Sequence, residues 1–276
     1  AVSMLKSMLK LHKGIDISKY GKLTSYLKVG SRKYKTKKAK ILERNQIEEF
    51  LKKAPDVEYL QVKVALILGV AGACRCNELT FLDISDVQDK GSYLYVLIPD
   101  TKTNISRSFT VMEAFSVNAA EMCRKYISLR PKAAGRRFFS RYVDGKCTTQ
   151  HVGINTILKT FSKVASFLGL PDPESFTGHG MRRSSTTLLA NAGGDITTVK
   201  RHGGWKSTTV AENYIEESLS SKMAIAEKIQ VLPNVGEVVG PSSTSETPHR
   251  VNLNPGQNNK VVFELNVNVN INNNSK

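Results

Sequence analysis

The sequence predicts a mainly α-helical fold that carries one small antiparallel β-sheet. Several segments between residues 43 and 220 have apolar side chains at helical spacing, as Ile47, Phe50 and Leu51 do, which is the pattern of a helix that buries one face. Only two segments, 93–98 and 107–111, are rich in aromatic and β-branched residues instead. The turn-forming sequence Pro-Asp-Thr-Lys-Thr-Asn joins them, so we expect a β-hairpin among helices.

Each predicted helix is bounded by a capping residue, a proline or a glycine. Pro55 ends the helix that contains Ile47, and the apolar segment 59–72 forms the next helix, which we expect to be buried. Asp195 caps a short helix, and Thr209 forms a capping box with Glu212 at the start of another. The other predicted helices run from a cap at Ser116 to about Leu129, from Val152 to Leu168, and from His179 to Ala192, where Gly193 and Gly194 close the helix.

The composition favours a partner with many negative charges. Forty Lys and Arg residues against 24 Asp and Glu residues give a formal net charge of +16 in 276 residues. Such a surplus attracts nucleic acid, because each neutralised phosphate releases condensed counterions. A basic ribosomal protein or a membrane-surface protein has the same charge signature. The hydrophobic content of 40% leaves room for one sizeable core.

The sequence contains no signal for a membrane or an oxidising compartment. The N-terminus lacks an uninterrupted apolar region, and the longest apolar run, 64–73, has about half the length of a membrane-spanning helix. Four cysteines, Cys74, Cys76, Cys123 and Cys147, form no Cys-x-x-Cys pair. We therefore expect no metal site and free thiols in a reducing compartment, either a nucleus or a bacterial cytoplasm.

Both ends of the chain differ in composition from its centre. Residues 1–40 are rich in lysine and allow two short amphipathic helices followed by a basic loop. This loop is a candidate DNA-contacting linker, a nuclear-import signal or a solvated run of charge. From Pro233 onward, Pro, Ser, Thr and Asn dominate, which predicts a disordered tail over 233–276. The candidate DNA-binding residues of the loop are Arg32, Lys33, Lys35, Lys37, Lys38 and Lys40.

Two motifs supply arginines that suit phosphate chemistry. The first, Thr177-Gly-His-Gly-Met-Arg-Arg-Ser, places His179 and Arg182 three residues apart, hence on one helix face. The second, Gly72-Ala-Cys-Arg-Cys-Asn-Glu-Leu, places Arg75 next to ten apolar residues with Glu78 as its orienting partner. A guanidinium group is permanently charged and can bind two phosphate oxygens at once. The alternative interpretation of the His179–Arg182 motif is a solvated helix face, and that of the Arg75–Glu78 motif is an ordinary Arg–Glu helix pair.

These motifs, together with Gly-Gly-Trp at 203–205 and Glu-Asn-Tyr at 212–214, resemble the active-site signature of the tyrosine recombinases, the phage integrase family. The resemblance covers roughly residues 43–220. Three segments are most similar to the corresponding sequences of eukaryotic Crypton-type transposon recombinases, which implies a nuclear location: Gly-Ala-Cys-Arg, Arg-His-Gly-Gly-Trp-Lys-Ser and Val-Ala-Glu-Asn-Tyr. The chain departs from the family pattern in two ways. Its N-terminal region is short, and Met181 stands where the family often has Leu, which is a volume-conserving exchange.

The resemblance implies a role for each matching residue. Tyr214 corresponds to the nucleophile that forms a 3′-phosphotyrosine, and Lys102, in the turn of the hairpin, to the general acid for the 5′-oxygen. Trp205, the only tryptophan, corresponds to a phosphate-binding His or Trp, whereas a lone Trp is otherwise a core residue. His202 falls just outside the pattern and receives no role. The implied catalytic residues, which need neither metal nor cofactor, are Arg75, Lys102, His179, Arg182, Trp205 and Tyr214.

The resemblance also implies a domain organisation and an assembly. Residues 1–40 correspond to a remnant of a core-binding domain and 41–232 to the catalytic domain. Residues 218–232 have an apolar stripe near helical spacing, which we expect to dock on a neighbouring protomer on double-stranded DNA. Packing within one chain is the alternative. A domesticated transposon protein that only binds DNA or chromatin and a type IB topoisomerase are the rival functions.

Overall fold

The computed structural model describes residues 2–32, 39–99 and 106–230, and the predicted tail at 233–276 lies outside them. Its fold is the predicted one, mainly α-helical with small antiparallel sheets. The α-helices are α1 (Val2–Lys13), α2 (Gly21–Arg32), α3 (Arg44–Lys53), α4 (Asp56–Ala71), α5 (Cys76–Phe81), α6 (Ala119–Ser128), α7 (Ile154–Leu158), α8 (Thr160–Phe167), α9 (His179–Asn191), α10 (Ile196–Gly203), α11 (Thr209–Glu217) and α12 (Leu219–Gln230). The strands are β1 (Val87–Asp89), β2 (Leu94–Ile98), β3 (Arg107–Val111), β4 (Glu113–Ala114), β5 (Val117–Asn118), β6 (Ser140–Val143) and β7 (Lys146–His151).

Helix α4 is the centre of the core, as its apolar sequence predicts. Every residue from Leu60 to Val70 is buried, because α6, α8, α9 and the sheets pack around the helix. Lys63 is the one cation in this stretch, and Asp56 neutralises it at 2.7 Å. Complete burial of a Leu or Ile side chain contributes about 1.5–3 kcal/mol each. The packed helix thus fixes the position of its C-terminal end, where the Gly72-Ala73 turn begins.

The predicted hairpin is present as β2 and β3, and β1 extends it to three strands in the order β1-β2-β3. Alternate residues of β2, Leu94, Val96 and Ile98, face the core, as the period-two pattern of a strand requires. Ile98 pairs with Arg107, so that pair is the last rung before the connecting turn. Lys102 in that turn lies outside the described residues.

Three local predictions were wrong. Ser116 does not cap α6: its φ is +54°, and the helix begins after Asn118, whose side chain accepts a hydrogen bond from the Glu121 N–H at 2.9 Å. The helix expected over 152–168 is two helices, α7 and α8, which are separated by a turn at Lys159, where ψ is −3°, against about −42° in a regular α-helix. Finally, Thr209 is the first residue of α11 and not its cap: Thr208 takes the capping position, and the Ser207 hydroxyl accepts the Thr209 N–H at 3.2 Å.

A second, smaller apolar cluster joins α9, α10 and α11. Ala190, Val199 and Ala211 form its buried centre, and Trp205 and Tyr214 pack against it. The predicted cap of α10 is confirmed, because Asp195 accepts the N–H groups of Thr197 and Thr198 at 2.7 and 3.0 Å. The cluster therefore ties the Tyr214 helix to α9, which carries Arg182.

Candidate active site

Glu78 lies at the centre of a cluster of three arginines. Its carboxylate accepts from Arg75 Nη1 at 2.7 Å, from Arg107 Nη2 at 2.5 Å and, more weakly, from Arg182 Nη2 at 3.5 Å. The Glu78 side chain is 3% exposed, and those of Arg75, Arg107 and Arg182 are 25%, 11% and 12% exposed. The two arginines that the sequence motifs singled out are therefore brought together, and a third joins them.

The turn after α4 shapes this cluster. Ala73 adopts a positive φ of 45°, an uncommon conformation for a residue with a Cβ atom. Its carbonyl accepts a hydrogen bond from Arg182 Nε at 2.9 Å, and the Gly72 carbonyl accepts one from Arg107 Nη1. The Glu78 carboxylate also accepts the Arg75 N–H at 2.9 Å, which fixes the carboxylate at the start of α5. The chain reversal thus presents carbonyl and carboxylate oxygens to all three guanidinium groups.

The electrostatics of the cluster favour an anion. Burial opposes ionisation of Glu78, but the charges of Arg107 and Arg182 and the hydrogen bond from the Arg75 backbone outweigh it and lower the pKa of Glu78. Burial, followed by the nearby Arg75 charge, lowers the pKa of Arg182 to about 10, so Arg182 stays protonated at neutral pH. Burial raises the pKa of the adjoining Cys74 thiol to about 11, which keeps it neutral. Three positive charges therefore face one negative charge, and a bound DNA phosphate would compensate part of the difference.

Arg75 is the most accessible member of the cluster. It lines a cavity of about 590 Å³ together with Glu78, Asn77 and Phe81. His179 is exposed at the first residue of α9, one turn before Arg182. This placement leaves both side chains open to a ligand that approaches from solvent.

Trp205 and Tyr214 stack on each other. Their ring centroids are 5.4 Å apart and the ring planes differ by 14°, a favourable offset-stacked geometry. Gly203 allows the Trp205 ring to fold back, since a Cβ atom at 203 would lie 2.3 Å from that ring. Gly204 supplies the left-handed conformation that ends α10, with a φ of +61°. The glycine pair before the tryptophan therefore has a structural cause.

A hydrogen bond connects the arginine cluster to this aromatic pair. Arg182 Nη1 donates to the Gly203 carbonyl at 2.7 Å, in the turn that leads to Trp205. The position of Arg182 is thereby coupled to the turn that positions Trp205, and through the stacked rings to Tyr214.

Two residues of this region were not found by sequence reasoning. In the sequence, Arg107 is only the first residue of a predicted strand, although its place beside the hairpin turn is a signal that could have indicated it. His202, directly before Gly-Gly-Trp, received no role, yet its Nε2 lies 2.6 Å from the Ser185 hydroxyl. That hydroxyl donates to the Val70 carbonyl at 2.5 Å, so the imidazole Nε2–H donates to Ser185 in turn. Burial, with Arg107 and Arg182 nearby, lowers the pKa of His202 to about 4.

The candidate DNA-binding loop is described only in part. Lys40 donates to Asp172 and to the Pro171 carbonyl, both at 2.9 Å, so much of its charge is engaged within the protein. Arg32 ends α2, but its side chain is not described. The other predicted contacts lie outside the described residues: Lys33, Lys35, Lys37 and Lys38.

The described residues contain neither a metal-binding cluster nor a membrane span. No group of three or more His, Cys, Asp or Glu side chains in this part of the chain could hold a metal ion. In the same ranges every helix is too short or too polar to cross a bilayer. All four cysteines are buried and free.

Three solved structures have folds similar to this one. XerH site-specific recombinase, bound to palindromic difH substrate in a post-cleavage complex, is 18% identical with a TM-score of 0.53, over 69% of this chain and 53% of its own. XerA recombinase is 16% identical with a TM-score of 0.54, over 84% of this chain and 83% of its own. The Tn1549 transposon integrase in complex with transposon right end DNA is 19% identical with a TM-score of 0.51, over 72% and 68%. This chain thus spans about half the length of XerH.

Sequence comparison identifies the family of the chain. No curated protein matches the sequence. The model of the phage integrase family, however, matches residues 40–220, well over half of the chain and the part that contains both arginine motifs, Trp205 and Tyr214. Together with the fold and the site geometry, this match shows that the chain belongs to the phage integrase family.

Proposed function

We propose that this chain is a tyrosine recombinase that cuts and rejoins DNA through a 3′-phosphotyrosine at Tyr214. The observation that carries the proposal is the cluster of three arginines around one buried carboxylate, hydrogen-bonded to the turn before the Trp205–Tyr214 pair. A site with surplus positive charge, connected through Gly203 and Trp205 to a tyrosine, suits attack of a hydroxyl on a phosphodiester.

In the proposed reaction, the Tyr214 oxygen forms a bond to the scissile phosphorus, and the bond from phosphorus to the 5′-oxygen breaks. Arg75 and Arg182 bind the non-bridging oxygens, on which negative charge accumulates. Trp205 donates its indole N–H to the phosphate or packs the nucleophile's helix, and His179 assists proton transfer. The Tyr214 proton passes to a base or to water, and Lys102 protonates the leaving 5′-oxygen, which becomes a 5′-hydroxyl.

The phosphotyrosine conserves the energy of the broken bond. A 5′-hydroxyl of the same or of another duplex can therefore attack it and restore a phosphodiester without ATP. We further propose that the chain is a Crypton-type transposon recombinase that acts in a nucleus, because its motif sequences are most similar to those enzymes. The net charge of +16 supports double-stranded DNA as the partner.

We further propose that α12 docks on a neighbouring protomer during recombination. Its apolar side chains Leu219, Met223, Ile225 and Ile229 are between 54% and 75% exposed in the single chain. Exchange of this helix would bury them and would make the position of each Tyr214 depend on a neighbour.

Covalent trapping tests the proposed reaction. A pool of nicked duplexes with randomised flanks is incubated with the protein; release of a short 5′-hydroxyl fragment traps the intermediate as a band that survives denaturation. Tyr214→Phe is expected to abolish the band and to leave DNA binding nearly unchanged, because only one hydroxyl is removed. Tyr20→Phe, at a tyrosine that is 56% exposed, is the matched control. DNA binding by the wild type without any band would favour the DNA-binding alternative.

A further inference from the structure

We propose that Arg107 is a positioning residue, which prevents Glu78 from pairing closely with Arg182, and so leaves Arg182 able to bind phosphate, by holding the Glu78 carboxylate and the Gly72-Ala73 turn in place. This inference rests on the proposed function, and it assigns to Arg107 no contact with DNA.

The guanidinium group of Arg107 is committed to the protein. Nη1 donates to the Gly72 carbonyl, and Nη2 donates to Glu78 Oε2 at 2.5 Å and to the Ala73 carbonyl at 3.4 Å. The side chain is 11% exposed, and its strand β3 fixes its backbone opposite Ile98. Arg107 therefore spans the α4 end, the α5 start and the sheet.

Arg107 shares both acceptors with Arg182. The Ala73 carbonyl accepts from Arg182 Nε at 2.9 Å, and Glu78 Oε2 lies 3.5 Å from Arg182 Nη2. Since Arg107 holds the same carboxylate oxygen at 2.5 Å, Glu78 does not form a close bidentate pair with Arg182. Without Arg107, the carboxylate would move toward Arg182 and compete directly with a substrate phosphate.

Arg107 also stabilises the turn that presents these oxygens. The positive φ of Ala73 is unfavourable for an alanine and persists only where the surroundings hold it. Hydrogen bonds from two arginines to the Gly72 and Ala73 carbonyls do so. A lysine cannot replace the planar guanidinium group of Arg107, because a single ammonium group cannot donate to the Gly72 carbonyl and the Glu78 carboxylate with the same geometry.

Activity on two substrates tests the inference. We expect Arg107→Gln and Arg107→Lys to slow covalent trapping about 100-fold, the size of effect seen when oriented charge stabilisation is lost, with duplex affinity changed less than about threefold. Replacing the leaving 5′-oxygen by sulfur removes the need for a general acid and is expected to restore neither variant. Rescue by the thio substrate, or a wild-type rate on ordinary DNA, would overturn the proposal.

The matched control is Arg130→Gln. Arg130 also donates to backbone carbonyls, those of Gly135 and Arg137, and its Nε, like that of Arg107, is buried with no hydrogen-bond partner among the described residues. It lies outside the cluster, so we expect it to lower the melting temperature without a specific loss of rate. A loss of rate in Arg130→Gln as large as that in Arg107→Gln would show that mere destabilisation explains both.

A second readout does not depend on activity. Inorganic phosphate, compared with chloride at equal ionic strength, is expected to raise the melting temperature of the wild type and of Arg130→Gln by about 2–5 °C. The melting temperature of Arg107→Gln should rise by less than about 1 °C. If the wild type forms no covalent band but this pattern holds, the proposed function fails and the role of Arg107 stands. If the band forms and Arg107→Gln keeps the full phosphate effect, the role of Arg107 alone is refuted.

Discussion

Replacing His202 by glutamine should remove a specific pH dependence of stability. The imidazole is partly buried against Ser185 beside two arginines, and its pKa falls to about 4 in the folded protein. In the unfolded chain it returns to the ordinary value of 6.5. As the pH falls below 6.5, the unfolded state therefore takes up a proton that the folded state refuses, and the free energy of unfolding decreases until about pH 4.

The magnitude follows from the two pKa values. From pH 6.5 to about pH 4, a difference of about 2.5 pKa units, the contribution of His202 to the free energy of unfolding should fall by roughly 3 kcal/mol, since one pKa unit corresponds to about 1.4 kcal/mol. Between pH 7.5 and pH 5 the loss attributable to His202 is about 2 kcal/mol. Glutamine does not titrate in this range, and its amide can still donate to the Ser185 hydroxyl.

Urea unfolding at pH 7.5, 6 and 5 measures the effect in the wild type and in His202→Gln. The difference in unfolding free energy between the two proteins should change by about 2 kcal/mol from pH 7.5 to pH 5, with the variant less sensitive to acid. Glu78, whose pKa is lowered from 4.5, loses its contribution only at lower pH and cancels in the comparison. Parallel pH profiles for the two proteins would contradict a His202 imidazole that stays neutral in the folded protein.

Three further predictions concern the arginine cluster, the general acid and the assembly. Glu78→Gln should lower the free energy of unfolding by about 3 kcal/mol, because it leaves the guanidinium groups of the cluster without their carboxylate partner. Urea unfolding measures this loss. Glu49→Gln, at an exposed ion pair, is the control, and its free energy of unfolding should stay within about 1 kcal/mol of the wild-type value. Lys102→Ala should be slow on ordinary DNA but substantially rescued by a 5′-thio leaving group, whereas Arg75→Ala should not be rescued; equal defects on both substrates would mean that Lys102 only positions DNA. Truncation after Ser220 should preserve single-site binding and abolish multi-protomer complexes in a native gel, and assembly like that of the wild type would rule out docking through α12.

The sequence predicted those features whose signals are local. Helix α4, the cap at Asp195 and the pairing of β2 with β3 each depend on a few neighbouring residues, and each is present. The contact between Arg75 and Glu78 follows from their spacing on one turn. The hairpin of β6 and β7 was missed, although Asp144-Gly145, with φ of +48° and +80°, is a strong turn signal.

What the sequence could not indicate depends on contacts between distant segments. Arg107 reaches the Gly72 carbonyl across 35 positions of the chain, and His202 reaches Ser185 from the next helix. An isolated arginine in a strand or a histidine before a glycine pair is typical of many unrelated environments. The caps assigned to Ser116 and Thr209 failed for a related reason, since Asn118 and Ser207 provide competing hydrogen bonds that composition alone does not rank.

The central claim is that Tyr214 attacks DNA, and mapping the covalent linkage tests it most directly. After trapping, nuclease digestion and proteolysis, mass spectrometry should locate a nucleotide phosphate on the peptide that contains Tyr214, joined through the 3′-phosphate. The linkage should be absent from Tyr214→Phe and present in Tyr20→Phe. A phosphate linkage on any other residue, or a covalent band that persists in Tyr214→Phe, would contradict the account.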